Sequence, residues 1–572
     1  MEELIDACLG RAPLDLLIHG QVVNVYSGDI FDGYIGVKNG LVAYVGVKPK
    51  PSRERLDFPS KYVLPAYIDG HVHVESSLMT PRMFARAVIP HGTCCVVADP
   101  HEIANVLGLD GVKFMIEDSE KTPLKFYFMI PSSVPSTSLE TAGAEIGLGE
   151  VRALKGFRRI LGLGEVMNYM GVVKGDKVIL NKIEECRDMI IDGHAPGLRG
   201  EALCAYILAG IMSDHEALSP EEAREKISLG MWIMIREGST AKALSNLAGI
   251  VSKGCPERVM LVTDDRHAGD IVREGHIDYC LRRAVEEGID PVDAIRMVTL
   301  KPAEYFRLKS LGALSPRKSA DIVVVNNLRE FRAETVLIDG VIVAERGECL
   351  YLEEEPKRIA LGSVNIRELN VEDLKVRHPK IKHGKTFVRA IGIVENQIYT
   401  EEVRCEVNVV DGEVKPDPYR DILEICVVER HRGSGRVGKG FVIGFGLESG
   451  AIASTVAHDS HNIIAVGADS RDIYRAILRL REINGGFVVV DDGRVLAELP
   501  LPIAGLMADL EAKEISRRTE ALEEAASKIG CRVRSPFTAL SFLSLPVVPK
   551  LKITDYGLID AENLRIVDLF VS

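Results

Sequence analysis

Two histidines one residue apart, His71 and His73, stand in the stretch PAYIDGHVHVESS at residues 65–77. Side chains two apart on an extended backbone point to the same side, so a strand carrying this pair presents two imidazole nitrogens to one point. The apolar run Tyr62-Val63-Leu64 ahead of it predicts a buried strand over residues 62–69 that ends in these polar residues. Asp69 brings a carboxylate near enough to hold an imidazole's second nitrogen, and Gly70 allows close backbone approach. Alone, a His-x-His pair fits a surface turn equally well. Its meaning depends on further ligands arriving at matching places downstream.

The elements that must position such ligands form a regular alternation. Short apolar runs predict strands at residues 62–69, 93–99, 125–131, 159–165, 189–194, 210–214, 230–236 and 258–263. Helical segments are expected between them, as at 79–91, 103–117, 198–208, 220–228 and 241–253, with Ser219 as a cap before Pro220. Eight strand–helix units over roughly 240 residues predict a (β/α)8 barrel, whose chemistry sits where the strands end. The first strand ends in His71 and His73, the fourth in Glu165 (LGLGE) and the fifth in His194 (IIDGH). The sixth gives His215 (MSDH) and the eighth Asp264 and Asp265 (LVTDD). Imidazole and carboxylate without thiolate suit manganese, iron or zinc. Six ligands, His71, His73, Glu165, His194, His215 and Asp264, are too many for one catalytic ion that keeps an open position. Two divalent ions are expected, with Glu165 bridging them.

On either side of the barrel the texture changes. Residues 16–47 alternate Val/Ile/Tyr runs with SGD, FDG and KNG turns, and residues 321–347 repeat that pattern. The two sets are expected to form one composite β-sandwich, residues 1–60 with 308–355, around a barrel of residues 61–307. After a charged linker, residues 370–572 predict an α+β domain with strands at 387–394, 403–410, 422–428, 441–445 and 486–490 and helices at 470–483 and 507–528.

The bulk composition excludes several classes. At 572 residues the chain needs more than one domain, and a net charge of -13 argues against a nucleic-acid partner. No apolar run is long enough to span a membrane, and the N-terminus MEELIDACLGRAP is too acidic for a signal peptide, so a cytoplasmic protein is expected. Eleven cysteines without a C-x-x-C read as reduced thiols. GSGRVGKG at 433–440 satisfies G-x-G-x-x-G, but a strand follows it where a dinucleotide site needs a helix, so it reads as a hairpin or loop. His73-Val-Glu75 mimics the H-x-E of zinc nucleobase deaminases without their P-C-x-x-C. AHDSHN at 457–462 offers His458, Asp459 and His461 as metal ligands or a lid, and equally as a polar turn between strands.

HVHVESS, ADPHEIANVLG at 98–108, GLGEVMN at 162–168, DGHAPG at 192–197, SDHE at 213–216 and VTDDRHAGD at 262–270 resemble the adenine deaminase family of the amidohydrolase superfamily, over nearly the whole chain. The resemblance implies a TIM-like barrel of the amidohydrolase type and a hydrolase of purine metabolism that takes adenine to hypoxanthine and ammonia by a metal-activated hydroxide. It also implies that His71, His73 and Asp264 hold the more buried ion and His194 and His215 the more exposed one. Many relatives bridge their ions with a carboxylated lysine; Glu165 stands at that place here, as in the adenine deaminases. Manganese or iron are the expected metals, with zinc next, and a homo-oligomer stays open. Asp264 would take the water's proton and pass it to the departing amine. Glu75, Glu102 or Glu237 would protonate the ring, and His101 and Asp265 would serve substrate or ligand orientation, as would Arg236–Ser239. A cyclic-amide hydrolase of the dihydroorotase or hydantoinase kind is the alternative enzyme, and a non-catalytic scaffold the alternative outside enzymes; the glutamate at 165 and the full ligand set speak against each.

Overall fold

A computed structural model of the chain describes residues 1–251, 257–351, 362–394 and 397–571. It divides into two compact units: Met1–Pro100 with Lys113–Ser133 and Gly147–Pro356, and His101–Val112 with Val134–Ile146 and Lys357–Ser572.

Among the described residues of the first unit, eight parallel strands follow one another: β1 (Tyr67–Val72), β2 (Thr93–Ala98), β3 (Lys125–Ile130), β4 (Ile160–Val166), β5 (Ile190–Gly193), β6 (Ser213–Asp214), β7 (Trp232–Arg236) and β8 (Val259–Val262). Strands β1 to β5 form one hydrogen-bonded arc and β6 to β8 another. Met212 N donates to Ile191 O (3.3 Å) where the arcs meet behind β5. On the other side Asp264 N donates to His71 O (3.0 Å) and His73 N to Asp264 O (3.2 Å), which closes the barrel. The strands are buried over nearly their whole length and rich in Val, Ile, Met and Phe, as parallel strands covered on both faces must be. Ser219 caps the helix Pro220–Ser228, accepting from Glu222 N (3.2 Å).

Two expectations about the barrel are corrected. The run Tyr62-Val63-Leu64 is not part of β1: it ends the long strand Ser52–Pro65, which pairs with Ile322–Val325. Pro65 lacks an N–H and marks the break, after which Ala66 N donates to Asp321 O (3.0 Å) and β1 begins. The helix expected over 241–253 is reduced to Leu244–Leu247 and the 3-10 turn Ala248–Ile250, with Gly249 disfavouring continuation; residues 252 and 253 lie outside the described residues.

The strands Leu14–Val23, Ile30–Lys38, Leu41–Gly46 and Ser52–Pro65 join Ile322–Val325, Ala333–Ile338, Val341–Glu345 and Glu348–Cys349 in one eight-stranded sheet. Its outer strand Leu41–Gly46 returns to the segment entering Ile322, with Val42 N donating to Lys318 O (2.9 Å), so that one face closes on a core of Ile18, Ile35, Val63, Ile322, Val324 and Leu337. The SGD and KNG sequences are the hairpin turns, whereas FDG lies inside Ile30–Lys38.

The second unit is built on a ten-stranded sheet that includes Gly384–Ile393, Thr400–Val410, Leu423–Val428, Val437–Ile443, Ala451–Ser454, Ile463–Gly467, Gly486–Asp491 and Arg494–Pro500. The helix Ser470–Glu482 buries Ile473, Ala476, Ile477 and Leu480 in the same apolar core as Val488 and Val490 of that sheet. Residues 433–440 run from a loop into the strand Val437–Ile443, as the glycine pattern predicts for a hairpin. The ten cysteines among the described residues are all free, and no helix there is long and apolar enough to cross a membrane.

Candidate metal centre

The ends of β1, β4, β5, β6 and β8 bring six side chains together in the first unit. His71 Nε2 lies 3.4 Å and His73 Nε2 3.2 Å from Asp264 Oδ1, and His73 Nε2 is 3.3 Å from Glu165 Oε1. Glu165 Oε2 faces the other way, 2.7 Å from His194 Nδ1 and 3.1 Å from His215 Nε2. The His71 and His215 rings stack at 4.3 Å between centroids. His71 and His215 are sealed, with 2% of each side chain exposed, whereas His194 keeps 23% and marks the open side.

Local structure explains why these residues converge. Asp264 has φ +59°, a left-handed conformation that Asp tolerates better than most residues, and the two main-chain bonds to β1 hold it there. Asp99, at the end of β2, accepts Glu165 N–H on Oδ2 (3.0 Å). A Cβ at position 164 would stand 2.1 Å from that oxygen, so Gly164 is what lets the carboxylate lie against β4. Asp99 O also takes the His73 Nδ1 proton (3.0 Å), which leaves Nε2, the nitrogen facing the two carboxylates, as the one that would hold a cation. Ser132 Oγ donates to Glu165 O (2.6 Å). Asp192 accepts from Ser213 Oγ (2.8 Å) and Tyr305 OH (2.6 Å), and Asp214 from the buried Lys226 Nζ (2.9 Å), tying β5, β6 and their helices beneath the site.

The imidazole nitrogen beside Asp69 is His276 Nε2, 3.3 Å from Oδ2, and not one of the pair that follows Asp69 in sequence. Asp69 accepts from His71 N (3.3 Å), Thr263 N (3.2 Å) and Thr263 Oγ1 (2.5 Å), so it fastens β1 to β8. Burial pushes its carboxyl up to about 7 against the Thr263 bonds. Thr263→Val removes one donor from a fully buried carboxyl group and is expected to cost about 1–3 kcal/mol. The urea midpoint of metal-loaded protein checks this, and an unchanged midpoint would refute it.

The electrostatics require positive charge. Burial alone would raise the carboxyls of Glu165 and Asp264, yet the histidines around them, and Arg236 beside Asp264, hold both well below the usual range. Burial alone would lower His73 and His194, yet the facing carboxylates hold His73 well above its ordinary value and, with Glu216 foremost, push His194 up to about 9. Protons on imidazoles thus stand where a cation would. His71 Nε2 is buried without a hydrogen-bond partner, as a nitrogen reserved for a metal would be. Groups able to hold an ion include His71, His73 and Glu165; His71, His215 and Asp264; and Glu165, His194 and His215. The donor set, imidazole and carboxylate without thiolate, fits a divalent first-row ion.

Arg236, at the end of β7, is buried and forks onto Glu216 (2.5 and 2.8 Å) while Nη1 also donates to Asp264 Oδ2 (3.0 Å). Sequence reasoning offered it for purine recognition, and it missed Glu216 and Asp99; their signals were the neighbours of assigned residues in SDHE and ADPHE. Asp265 accepts from Ser76 Oγ at close range. Glu75 is buried in the turn Val74–Ser77 that follows His73. Glu237 accepts from Leu244 N (3.4 Å) and lies 3.9 Å from Arg283 Nε. His101 and Glu102 belong to the second unit. There His458 Nδ1 is 2.6 Å from Glu102 Oε1, His461 Nε2 meets Oε2, and His101 Nε2 is 3.4 Å from Oε1.

The Amidohydrolase family profile matches residues 62–343, and the profile "Adenine deaminase C-terminal domain" matches residues 397–565. The adenine deaminase of Archaeoglobus fulgidus is 46% identical over 571 residues, covering 100% of this chain and 98% of its own. That of Methanothermobacter thermautotrophicus is 46% identical over 562 residues, 97% of this chain and 99% of its own. The protein of the same name from Desulfatibacillum aliphaticivorans is 43% identical over 573 residues, 100% and 99% of the two chains.

Proposed function

Since the chain belongs to the amidohydrolase family, among the adenine deaminases, we propose that its six convergent side chains hold two divalent cations with which it deaminates adenine. Water replaces the 6-amino group, giving hypoxanthine and ammonia. The observation that carries the two-ion reading is the division of Glu165: Oε1 faces His73 and Oε2 faces His194 and His215. His71, His73 and Asp264 would hold the buried ion, His194 and His215 the open one, with Glu165 shared. Manganese or iron fit this donor set, and zinc after them.

When bound, the cations would supply a nucleophile near neutral pH by lowering the pKa of water from about 15.7 toward 7. The chain's own residues do the rest. Asp264 turns Oδ1 to the imidazoles and Oδ2 to Arg236, so it stays ionised and accepts the proton of the attacking water, then returns it to the leaving amine. Arg236, locked by Glu216, keeps that carboxylate from rotating. Of the other carboxylates considered for the ring nitrogen, Glu102 takes two imidazoles and Glu237 takes a main-chain N–H. Glu75, buried in the turn that directly follows His73, is assigned that task by its place beside the ligand pair.

The test is ammonia release from metal-loaded protein given adenine, adenosine, cytosine and a dihydropyrimidine in parallel. Adenine is expected to exceed each of the others by at least about 100-fold in kcat/KM, because buried polar groups matched to one ring are left unpaired by another. Chelation is expected to abolish turnover and divalent metal to restore it. Ring opening of the dihydropyrimidine, or equal release from cytosine, would overturn the assignment.

A further inference from the structure

Residues 455–462 join the paired strands Ala451–Ser454 and Ile463–Gly467, and they carry His458, Asp459, Ser460, His461 and Asn462. For a simple turn the connection is heavily built. His461 is buried, and its Nδ1 accepts Ala457 N–H (3.1 Å). A neutral imidazole that accepts on Nδ1 carries its proton on Nε2, and that proton points at Glu102 Oε2. The same tautomer leaves Nε2 no lone pair for an ion, which argues against a third metal here. His458 holds the other oxygen of Glu102 at 2.6 Å and stacks on Phe542 (4.9 Å). Ser460 Oγ donates to Glu140 Oε2 (2.6 Å), and Asn462 Nδ2 to Thr141 O (2.9 Å).

The two segments gripped in this way, His101–Val112 and Val134–Ile146, are continuous in sequence with residues that hold Glu165. Three residues before Glu102 stands Asp99, which accepts both Glu165 N–H and His73 Nδ1–H. Two residues before Val134 stands Ser132, whose hydroxyl donates to Glu165 O. We propose that the 457–462 connection is a positioning element for the metal centre: His458 and His461 anchor Glu102, Ser460 and Asn462 anchor residues 140–141, and the two short links fix Asp99 and Ser132 and through them Glu165 and His73. The inference rests on the proposed ligand roles of those two residues.

The experiment compares full-length, metal-loaded wild type with His461→Ala, His461→Gln, Glu102→Ala and the double Ala variant. It measures the rate at which bound metal passes to a chelating dye, kcat and KM for adenine, and metal content. His461→Ala is expected to speed metal loss and lower kcat by about 10–100-fold, with KM little changed. His461→Gln, which keeps an N–H donor toward Glu102, is expected to recover most of that loss. The double variant is expected to be no worse than the worse single one, as for two ends of one interaction. Wild-type metal loss and kcat in His461→Ala, alongside a lowered melting temperature, would reduce the connection to a stability element and overturn the proposal. Three ions per chain, with one lost in His461→Ala, would overturn it in favour of a metal site. Ser460→Ala, which removes one hydroxyl from the Glu140 side, keeps the proposal testable should His461→Ala fail to fold; unchanged metal loss in it would count against the proposal. Wild-type metal content and ammonia release are read first, so failure of the metal-centre reading shows there and not in the variants.

Discussion

Asp264→Asn is expected to lower kcat for adenine by about 1000-fold while KM moves only a few-fold, since a positioned proton acceptor contributes about 100- to 10,000-fold. The substitution is nearly isosteric. Asn tolerates a φ of +59° as Asp does, so the main-chain bonds to His71 and His73 have no reason to break. What changes is the charge and the acceptor count. Oδ1 faces two imidazoles and Oδ2 faces Arg236, so an amide must turn its NH2 toward a donor or toward the metal side. Steady-state ammonia release with elemental analysis of the same sample checks the result. Full metal and full turnover in the Asn variant would remove Asp264 from the proton transfer.

Glu165→Gln is expected to reduce bound metal from two ions per chain to one or fewer and kcat by on the order of 1000-fold, equivalent to the several kcal/mol that bound cations contribute to such a reaction. The argument comes from the three imidazoles on this one carboxylate, at 3.3, 2.7 and 3.1 Å. An amide has one oxygen to offer and would turn its NH2 toward either His73 or the pair His194 and His215. Elemental analysis and reconstitution with manganese check this. A variant that binds two ions as tightly as the wild type would show that the glutamate does not bridge.

Much of the site is legible in the sequence because strand-end motifs are contiguous strings. LGLGE, IIDGH, SDH and VTDD each join an apolar run to a polar tip, and the structure brings those tips together. The start of β1 is less legible. Two apolar runs flank Pro65, and which of them enters the barrel is decided by Ile322–Val325, more than two hundred residues away, which claims the first. The FDG sequence reads as a turn, yet Gly33 pairs with Gly20 across two strands. The Arg236–Glu216 fork and the grip of His458 and His461 on Glu102 are harder still to read. Their partners lie 20 and more than 350 residues apart, and polar residues of this kind are common on any surface. Helix and strand follow from local pattern, whereas ion pairs between distant segments follow only from the packed fold.

The pair of main-chain bonds that joins β1 to β8 falls on the rung where His71, His73 and Asp264 stand. The residues assigned to one ion therefore come from the first and last staves of the barrel, nearly two hundred residues apart, and the ion would act as a clasp across the closure. Metal loading would then be linked to the sealing of the cylinder, and the melting temperature is expected to rise with the concentration of divalent metal.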